Sequence, residues 1–197
     1  MKQVWKPGTM IYPLPAVLVG CGTCPDDYNL ITVAWTGTIC TNPAMCYISV
    51  RPERHSYELI KRTMEFTLNL TTESMAKAVD WCGVRSGKDY HKFVETGLTP
   101  VTGNMVSAPC VEESPLSIEC RVKEIVNLGS HDMFVADVLC TDADDSLINK
   151  ETGAFDLESA RLIAYSHGHY YKLGEEIGKF GWSVQKNKNK NIIKENV

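Results

Sequence analysis

Residues 29–60 contain the segment that most constrains the fold of this chain. Leu30 to Ile39 and Met45 to Val50 are rich in β-branched and aromatic residues, and the turn signal Thr41-Asn42-Pro43 separates them. This pattern predicts two strands joined as a hairpin. The apolar spacing after Ser56 predicts a helix that begins with that serine as its N-cap. A hairpin that runs directly into a helix therefore organises this part of the chain.

The predicted helix start carries several cations and a hydroxyl group. Arg51, Arg54, His55 and Ser56 all lie within six residues of one another. Free backbone N–H groups, the positive end of the helix dipole, a serine hydroxyl and an arginine fork together favour a phosphate. A solvated, capped helix start would have the same sequence. The motif alone leaves both interpretations open.

Length and composition favour a single globular domain that acts on small molecules. The chain has 197 residues, of which 44% are apolar and 22% charged, so one hydrophobic core can hold it together. The net charge of -4 lacks the clustered positive charge that nucleic acids or anionic membranes require. The longest aliphatic run, Ala16 to Val19, is too short to span a bilayer, and no signal peptide is evident. We therefore expect a cytoplasmic protein.

Eight cysteines are expected to be reduced thiols that pack as small hydrophobes. Cys21 and Cys24 have the spacing of a redox motif, but they run into a turn at Pro25 rather than opening a helix. Gly20-Cys21-Gly22 begins a dinucleotide fingerprint, yet Pro25 occupies the place of the third glycine. The pair His167 and His169 lacks a third ligand, so no metal site is predicted.

Four further segments predict strands. Ala16 to Gly20 forms the first strand, and the alternating apolar residues of Glu65 to Leu70 predict another. Leu116 to Lys123 and Met133 to Cys140 predict a long hairpin with Gly129 to Asp132 at its turn. These strands are expected to complete a barrel.

Two helices are predicted between these strands. The first begins at Thr71 or Thr72 and runs through Cys82, with Gly83 just past its end. The second is the short segment Tyr90 to Glu95, which Gly97 closes. The apolar face of the longer helix is expected to pack into the core.

The chain resembles the flavin reductase-like family of FMN-binding split barrels over roughly residues 13–184. The resemblance implies a mainly β fold with α, an antiparallel, Greek-key-like split barrel with helical excursions. It also implies one domain over residues 1–197, with a polar tail at 185–197, and assembly as a homodimer. The residues that carry the resemblance are Asn29-Leu30-Ile31-Thr32-Val33-Ala34-Trp35, Asn42-Pro43, Ser49-Val50-Arg51-Pro52 and Arg54-His55-Ser56-Tyr57.

The same resemblance implies a flavin site. Lys92 occupies the place of a lysine that helps to hold the FMN phosphate; without the resemblance it would be a surface lysine on an amphipathic helix. His131 lies at a predicted turn, where it is either solvated or close to the flavin or nicotinamide as a candidate catalytic residue. The implied FMN contacts are Asn29 and Trp35 flanking the isoalloxazine, Thr32, Ser49 and Arg51 nearby, and Ser56 and Lys92 on the phosphate.

The implied activity is electron transfer through FMN. NADH or NADPH would pass hydride to the flavin, which would then reduce a second acceptor, either a small molecule or a redox protein. Two other classes stay open: a flavoredoxin-type electron carrier without significant NAD(P)H turnover, and a thiol oxidoreductase that uses Cys21 and Cys24.

Overall fold

The structure, a computed structural model, describes residues 1–185, so the predicted polar tail lies outside the described residues from position 186 onward. The strands are β1 (Leu14–Pro15), β2 (Val17–Cys21), β3 (Asn29–Val33), β4 (Thr36–Thr41), β5 (Ala44–Val50), β6 (Glu65–Leu70), β7 (Pro100–Thr102), β8 (Pro109–Val111), β9 (Leu116–Asn127), β10 (Asp132–Ala143), β11 (Ile163–Ser166) and β12 (His169–Lys172). The α-helices are α1 (His55–Thr63), α2 (Ala76–Val84) and α3 (Lys92–Thr96). Short 3-10 turns cover Glu73–Met75, Asp145–Leu147 and Trp182–Val184.

The main sheet is antiparallel throughout and has the strand order β3-β2-β6-β9-β10-β5-β4. Its edge strands β3 and β4 follow each other in the chain and are separated only by Ala34 and Trp35. Three Cα–Cα steps span at most about 11 Å, so the two edges must lie close together. The sheet is therefore curled into a barrel that stays open between β3 and β4.

The prediction of one strand from Leu30 to Ile39 was wrong, because the chain leaves one edge of the sheet and joins the other at Ala34 and Trp35. The backbone N–H of Ser49 donates to the carbonyl of Trp35 (2.9 Å) and fixes this crossing. The alternation of apolar and polar residues indicates which side chains face the core. It does not indicate where the chain stops pairing with one strand and begins to pair with another.

Both predicted hairpins are confirmed. In the first, Asn42-Pro43 forms the turn, and Thr41 pairs with Ala44 across it. In the second, β9 and β10 pair along their length, and the N–H of Leu128 donates to the carbonyl of His131 (3.1 Å) at the tip.

Strand β2 is buried on both faces because it lies between two hydrophobic cores. Val17 and Val19 point into the barrel, where they pack with residues of every neighbouring strand. Ala16 and Leu18 point outward and pack with Val79 of α2 and other apolar residues of the helical layer. This confirms that the apolar face of α2 belongs to the core.

Each of the three α-helices has a boundary that differs from the prediction. Helix α1 begins at His55 after the N-cap residue Arg54, and Ser56 lies in its first turn rather than capping it, because the serine side chain points into the protein. Helix α2 continues through Gly83 to Val84, since the glycine allows the helix to pack against Thr32 of β3. Helix α3 begins only at Lys92, and Gly97 ends it with a positive φ as predicted.

Each helix formed by residues 1–185 is too short or too polar to cross a membrane.

Candidate functional site

Two adjoining pockets lie where the barrel is open. The first has a volume of about 390 Å³ and extends along the end of β3 and the end of β5. The second, of about 410 Å³, lies at the N-terminus of α1. Both are lined by Ile31, Arg51 and Arg54, so they form one continuous cleft. We call the two parts the barrel-mouth pocket and the cationic pocket.

The barrel-mouth pocket brings together four of the residues predicted for the flavin ring, Thr32, Trp35, Ser49 and Arg51. The hydroxyl of Thr32 donates to the carbonyl of Val79 (2.5 Å), which holds its methyl side in a fixed orientation. Buried apolar side chains fill the spaces between the polar groups. The wall is therefore suited to a flat, largely apolar ligand with a few polar edges.

Trp35 and His131 form the rim of the barrel-mouth pocket. Their ring centroids are 4.4 Å apart and the planes are tilted by 42°. Trp35 remains 38% exposed, so part of its surface is open to a ligand. Partial burial and the nearby Arg51 guanidinium hold the pKa of His131 below its usual value, so the imidazole is mostly neutral at pH 7. It is better suited to contact a ligand there than to donate a proton.

Part of the lining of this pocket comes from α2 and from the hairpin of β11 and β12, and the sequence did not predict it as part of the site. Tyr170 donates a long hydrogen bond to Asp80 (3.4 Å), and its ring packs on Tyr165 with centroids 5.6 Å apart. Burial, followed by the Asp80 charge, raises the pKa of Tyr170 to about 12. Asp80 and Tyr170 are 90 positions apart in sequence, so no local pattern could have predicted their contact.

The cationic pocket contains the residues predicted for the phosphate. Ser56 and Lys92 are both buried, and the guanidinium-bearing residues Arg51, Arg54 and Arg85 surround them. Glu53 is the one carboxylate among the residues that line this pocket. The first turn of α1 adds the positive end of a helix dipole. The pocket is therefore strongly suited to an anion.

Lys92 is not the surface lysine that its sequence context alone suggests. It is only 3% exposed, and its Nζ donates to the carbonyl of Cys82 (2.7 Å) in the last turn of α2. Burial lowers the pKa of Lys92, and the neighbouring Cys82 and Cys21 oppose that shift. Because an ammonium group carries three N–H donors, the bond to Cys82 leaves two that can contact an anion.

Asn29 lies beneath the cationic pocket and not beside Trp35. Its Nδ2 donates to the Oγ of Ser56 (2.7 Å), and its side chain is buried. Asn29 begins β3, whereas Trp35 follows the end of that strand, and four strand residues alone span about 13 Å. Asn29 is therefore absent from the residues that line the barrel-mouth pocket, whereas Trp35 is among them.

The two cysteines with redox spacing have different environments. Cys21 is fully buried in the barrel and Cys24 is exposed in the following turn; all eight cysteines of the chain are free thiols. Burial raises the pKa of Cys21 to about 11, so the thiol stays protonated at pH 7. A buried protonated thiol is a poor nucleophile, which disfavours the thiol oxidoreductase.

A second group of potential ligands, Cys110, Glu119 and Asp142, lies outside the cleft, with ligand atoms within 4.8 Å of one another. Glu119 is fully buried, and its carboxylate accepts hydrogen bonds of 2.7 to 2.8 Å from the backbone N–H groups of residues 104–106. Through these hydrogen bonds, the buried carboxylate anchors the loop that precedes β8.

The donor set of the cleft fits a phosphorylated flavin. Two free N–H groups of Lys92, the Ser56 hydroxyl and three guanidinium groups suit the oxygens of a phosphate monoester. The adjoining barrel-mouth pocket provides an indole and buried aliphatic residues for a planar ring. The loop residues Arg85 and Gly87, which the sequence showed only as a loop, complete the cationic end.

Comparisons with known proteins agree with this fold. The model of the flavin reductase like domain matches residues 9–174. Flavoredoxin of Desulfovibrio vulgaris (Miyazaki F) is similar in structure with a TM-score of 0.86 and 28% identity, over 94% of this chain and 100% of that one. A protein with a split barrel domain from Shewanella frigidimarina NCIMB 400 has a TM-score of 0.76 and 25% identity, over 86% of each chain. The predicted split-barrel fold is thereby confirmed.

A third similar structure is that of an FMN-binding protein from Thermus thermophilus, with a TM-score of 0.77 over 91% of this chain and 99% of that chain. At 22% identity, this likeness concerns the fold alone.

Proposed function

The chain belongs to the family defined by the flavin reductase like domain, and from this premise we propose that it is an FMN-binding oxidoreductase. In this proposal NADH or NADPH reduces the bound flavin, which then reduces a second acceptor. The observation that carries the proposal is the continuous cleft, in which a cationic pocket with buried Ser56 and Lys92 adjoins a pocket of the size and polarity of a ring system.

The proposed roles follow from the two parts of the cleft. Ser56 and Lys92 hold the phosphate, with Arg51 and Arg54 as partly solvated cations beside it. Thr32, Ser49 and Trp35 border the ring and exclude water from one side of it. FMN supplies hydride and single-electron chemistry when bound, whereas the protein binds and orients it. No side-chain nucleophile is required.

The proposed assembly is a homodimer formed from one domain per chain. Large apolar side chains are exposed on both terminal segments, namely Trp5 near the start and Ile177, Phe180 and Trp182 near the end. Apolar surface of this kind is typical of a protein interface. The family match over residues 9–174 supports a single domain. A cytoplasmic location remains a prediction from the sequence.

A second candidate function is that of a flavoredoxin-type electron carrier, in which a redox protein rather than NAD(P)H supplies the electrons. The likeness to flavoredoxin, with a TM-score of 0.86 over 94% of this chain, favours it. The two functions use the same flavin site and differ in the electron donor.

The donor is tested by mixing the FMN-loaded protein with NADH or NADPH without oxygen. The reductase predicts rapid loss of the visible flavin absorption with one of the two nucleotides. The carrier predicts that the absorption is lost only with dithionite or a reduced redox protein. A protein that binds no FMN would contradict both functions.

Replacing Cys24, the exposed member of the pair Cys21 and Cys24, tests the third class of function, the thiol oxidoreductase. We expect Cys24→Ser to leave flavin reduction within about twofold of the wild type, because an exposed turn residue away from the cleft contributes little. A thiol mechanism requires both sulfur atoms of the pair. Loss of nearly all activity in Cys24→Ser, with FMN still bound, would restore that mechanism.

A further inference from the structure

A buried polar contact beneath the cationic pocket links β3 to the first turn of α1. The Nδ2 of Asn29 lies 2.7 Å from the Oγ of Ser56 and 3.9 Å from the Sγ of Cys21. Asn29 is 4% exposed and Ser56 2% exposed. A hydrogen bond at this depth is shielded from water, so it fixes the orientation of both side chains.

The direction of this bond determines what the serine hydroxyl can do. An amide nitrogen only donates, so the Ser56 oxygen is the acceptor in the bond from Asn29. The single hydroxyl hydrogen of Ser56 must therefore point away from Asn29. Two acceptors are then within reach of this hydrogen: the Sγ of Cys21, which is hydrogen-bonded to Ser56, and an anion in the cationic pocket, which Ser56 lines. A thiol sulfur is a weak acceptor and a phosphate oxygen a strong one, so a bound phosphate takes the hydrogen.

The other end of the Asn29 amide contacts the loop on the opposite side of the same pocket. A Cβ atom placed on Gly87 would lie 2.2 Å from the Oδ1 of Asn29 and 2.8 Å from the Cδ2 of His55. The loop can approach this closely only because residue 87 has no side chain. The neighbours Arg85 and Ser86 line the cationic pocket from this loop. Asn29 therefore touches both walls of the pocket.

We propose that Asn29 is a positioning residue for the phosphate site, which directs the Ser56 hydroxyl toward the FMN phosphate without contacting the flavin. This inference rests on the proposed function. It also replaces the role that the family resemblance implied for Asn29, a contact to the isoalloxazine. The two roles differ in their consequence, since a residue that acts through Ser56 affects only ligands that carry the phosphate.

The test compares FMN with riboflavin, which has the same ring and no phosphate, by quenching of flavin fluorescence. Asn29→Leu should weaken FMN binding about tenfold and leave riboflavin binding unchanged, since the hydroxyl is no longer directed. Asn29→Asp, which offers Ser56 a carboxylate in place of a donor, should weaken FMN binding by more than tenfold and also spare riboflavin. In a Ser56→Ala background, Asn29→Leu should add less than about a twofold change.

Asn69 supplies a matched control. It is a fully buried asparagine of β6, and its Nδ2 donates to the carbonyl of Leu18 (3.0 Å) away from the cleft. Asn69→Asp should lower thermal stability and leave the ratio of FMN to riboflavin affinity unchanged. The ratio thus separates positioning from general destabilisation.

Two results would overturn the inference. One is an equal loss of FMN and riboflavin affinity in the Asn29 variants, which would place Asn29 at the ring or in a purely structural role. The other concerns the double variant. If its loss of FMN affinity equals the product of the losses in Asn29→Leu and Ser56→Ala, the two residues act independently and Asn29 does not act through Ser56. Should Asn29→Leu fail to fold, the isosteric Asn29→Asp decides by the same ratio. Equal affinity of the wild type for the two flavins would instead contradict the proposed phosphate site itself.

Discussion

Alanine at both Ser56 and Lys92 should weaken FMN binding about a hundredfold or more and leave riboflavin affinity within about twofold of the wild type. Hydrogen bonds to a charged group contribute about 1.5 to 3 kcal/mol each. Two of them therefore contribute at least about 3 kcal/mol, and each 1.4 kcal/mol corresponds to about tenfold in affinity. Riboflavin loses nothing because it carries no phosphate. Fluorescence titration of both flavins into both proteins measures the effect.

Two controls separate lost charge from lost packing. Lys92→Met retains most of the buried stem of Lys92 and removes the ammonium group, so it should reproduce the loss seen with alanine at this position. Lys88→Ala removes the same charge from an exposed position in the neighbouring loop and should change FMN affinity by less than about twofold. Raised salt should weaken FMN binding only modestly, since the anchoring groups are buried.

Equal affinities of the wild type for FMN and riboflavin would contradict the phosphate site. The start of α1 would then be a cationic but solvated helix N-terminus, the alternative that its sequence leaves open. A hundredfold loss for both flavins in the double variant would point instead to collapse of the cleft.

Local patterns were sufficient for the features that depend on neighbouring residues. The turn at Asn42-Pro43 and the hairpin of β9 and β10 follow from alternation and turn residues. The end of α3 follows from Gly97, whose positive φ of 71° suits a residue without a side chain. In each case, the residues that determine the structure lie within a few positions of it.

Features that depend on distant residues could not be predicted in this way. Ser56 looks like an N-cap, yet its hydroxyl oxygen accepts a hydrogen bond from Asn29, which is 27 residues away. Lys92 is buried because the last turn of α2 offers it a carbonyl. The wall formed by Tyr170 and Asp80 joins positions 90 apart. The family resemblance supplied the residues of the proposed phosphate site, and only the structure supplies their arrangement.

Gly20 shows the same difference between motif and structure. With Cys21 and Gly22 it resembles the start of a dinucleotide fingerprint, but β2 turns back into the antiparallel strand β3 and no crossover helix intervenes. The structure gives Gly20 another role. A Cβ atom on it would lie 2.0 Å from the carbonyl oxygen of Pro109 and 2.4 Å from the Oγ1 of Thr67. Strand β8 lies against β2 only because this side chain is missing.

Replacing Gly20 with alanine should therefore be the most destabilising of these changes to the fold. The methyl group meets a backbone carbonyl rather than a flexible side-chain end, so β8 itself must move. The hydroxyl of fully buried Thr67 donates to that same carbonyl (2.6 Å), and any such movement breaks the bond. Overpacking of a core costs about 1 to 3 kcal/mol, and the lost hydrogen bond places this variant near about 3 kcal/mol.

This loss of stability in Gly20→Ala should lower the midpoint temperature of thermal unfolding by about 6 to 12 °C, since 1 kcal/mol corresponds to about 2 to 4 °C for a chain of this length. Gly174→Ala is the matched control, because a Cβ atom there would meet nothing within 4 Å. It should change the midpoint by no more than about 2 °C. A Gly20→Ala protein as stable as this control would mean that β8 can move away from β2 without cost. The close approach would then be a consequence of the glycine and not a requirement of the barrel.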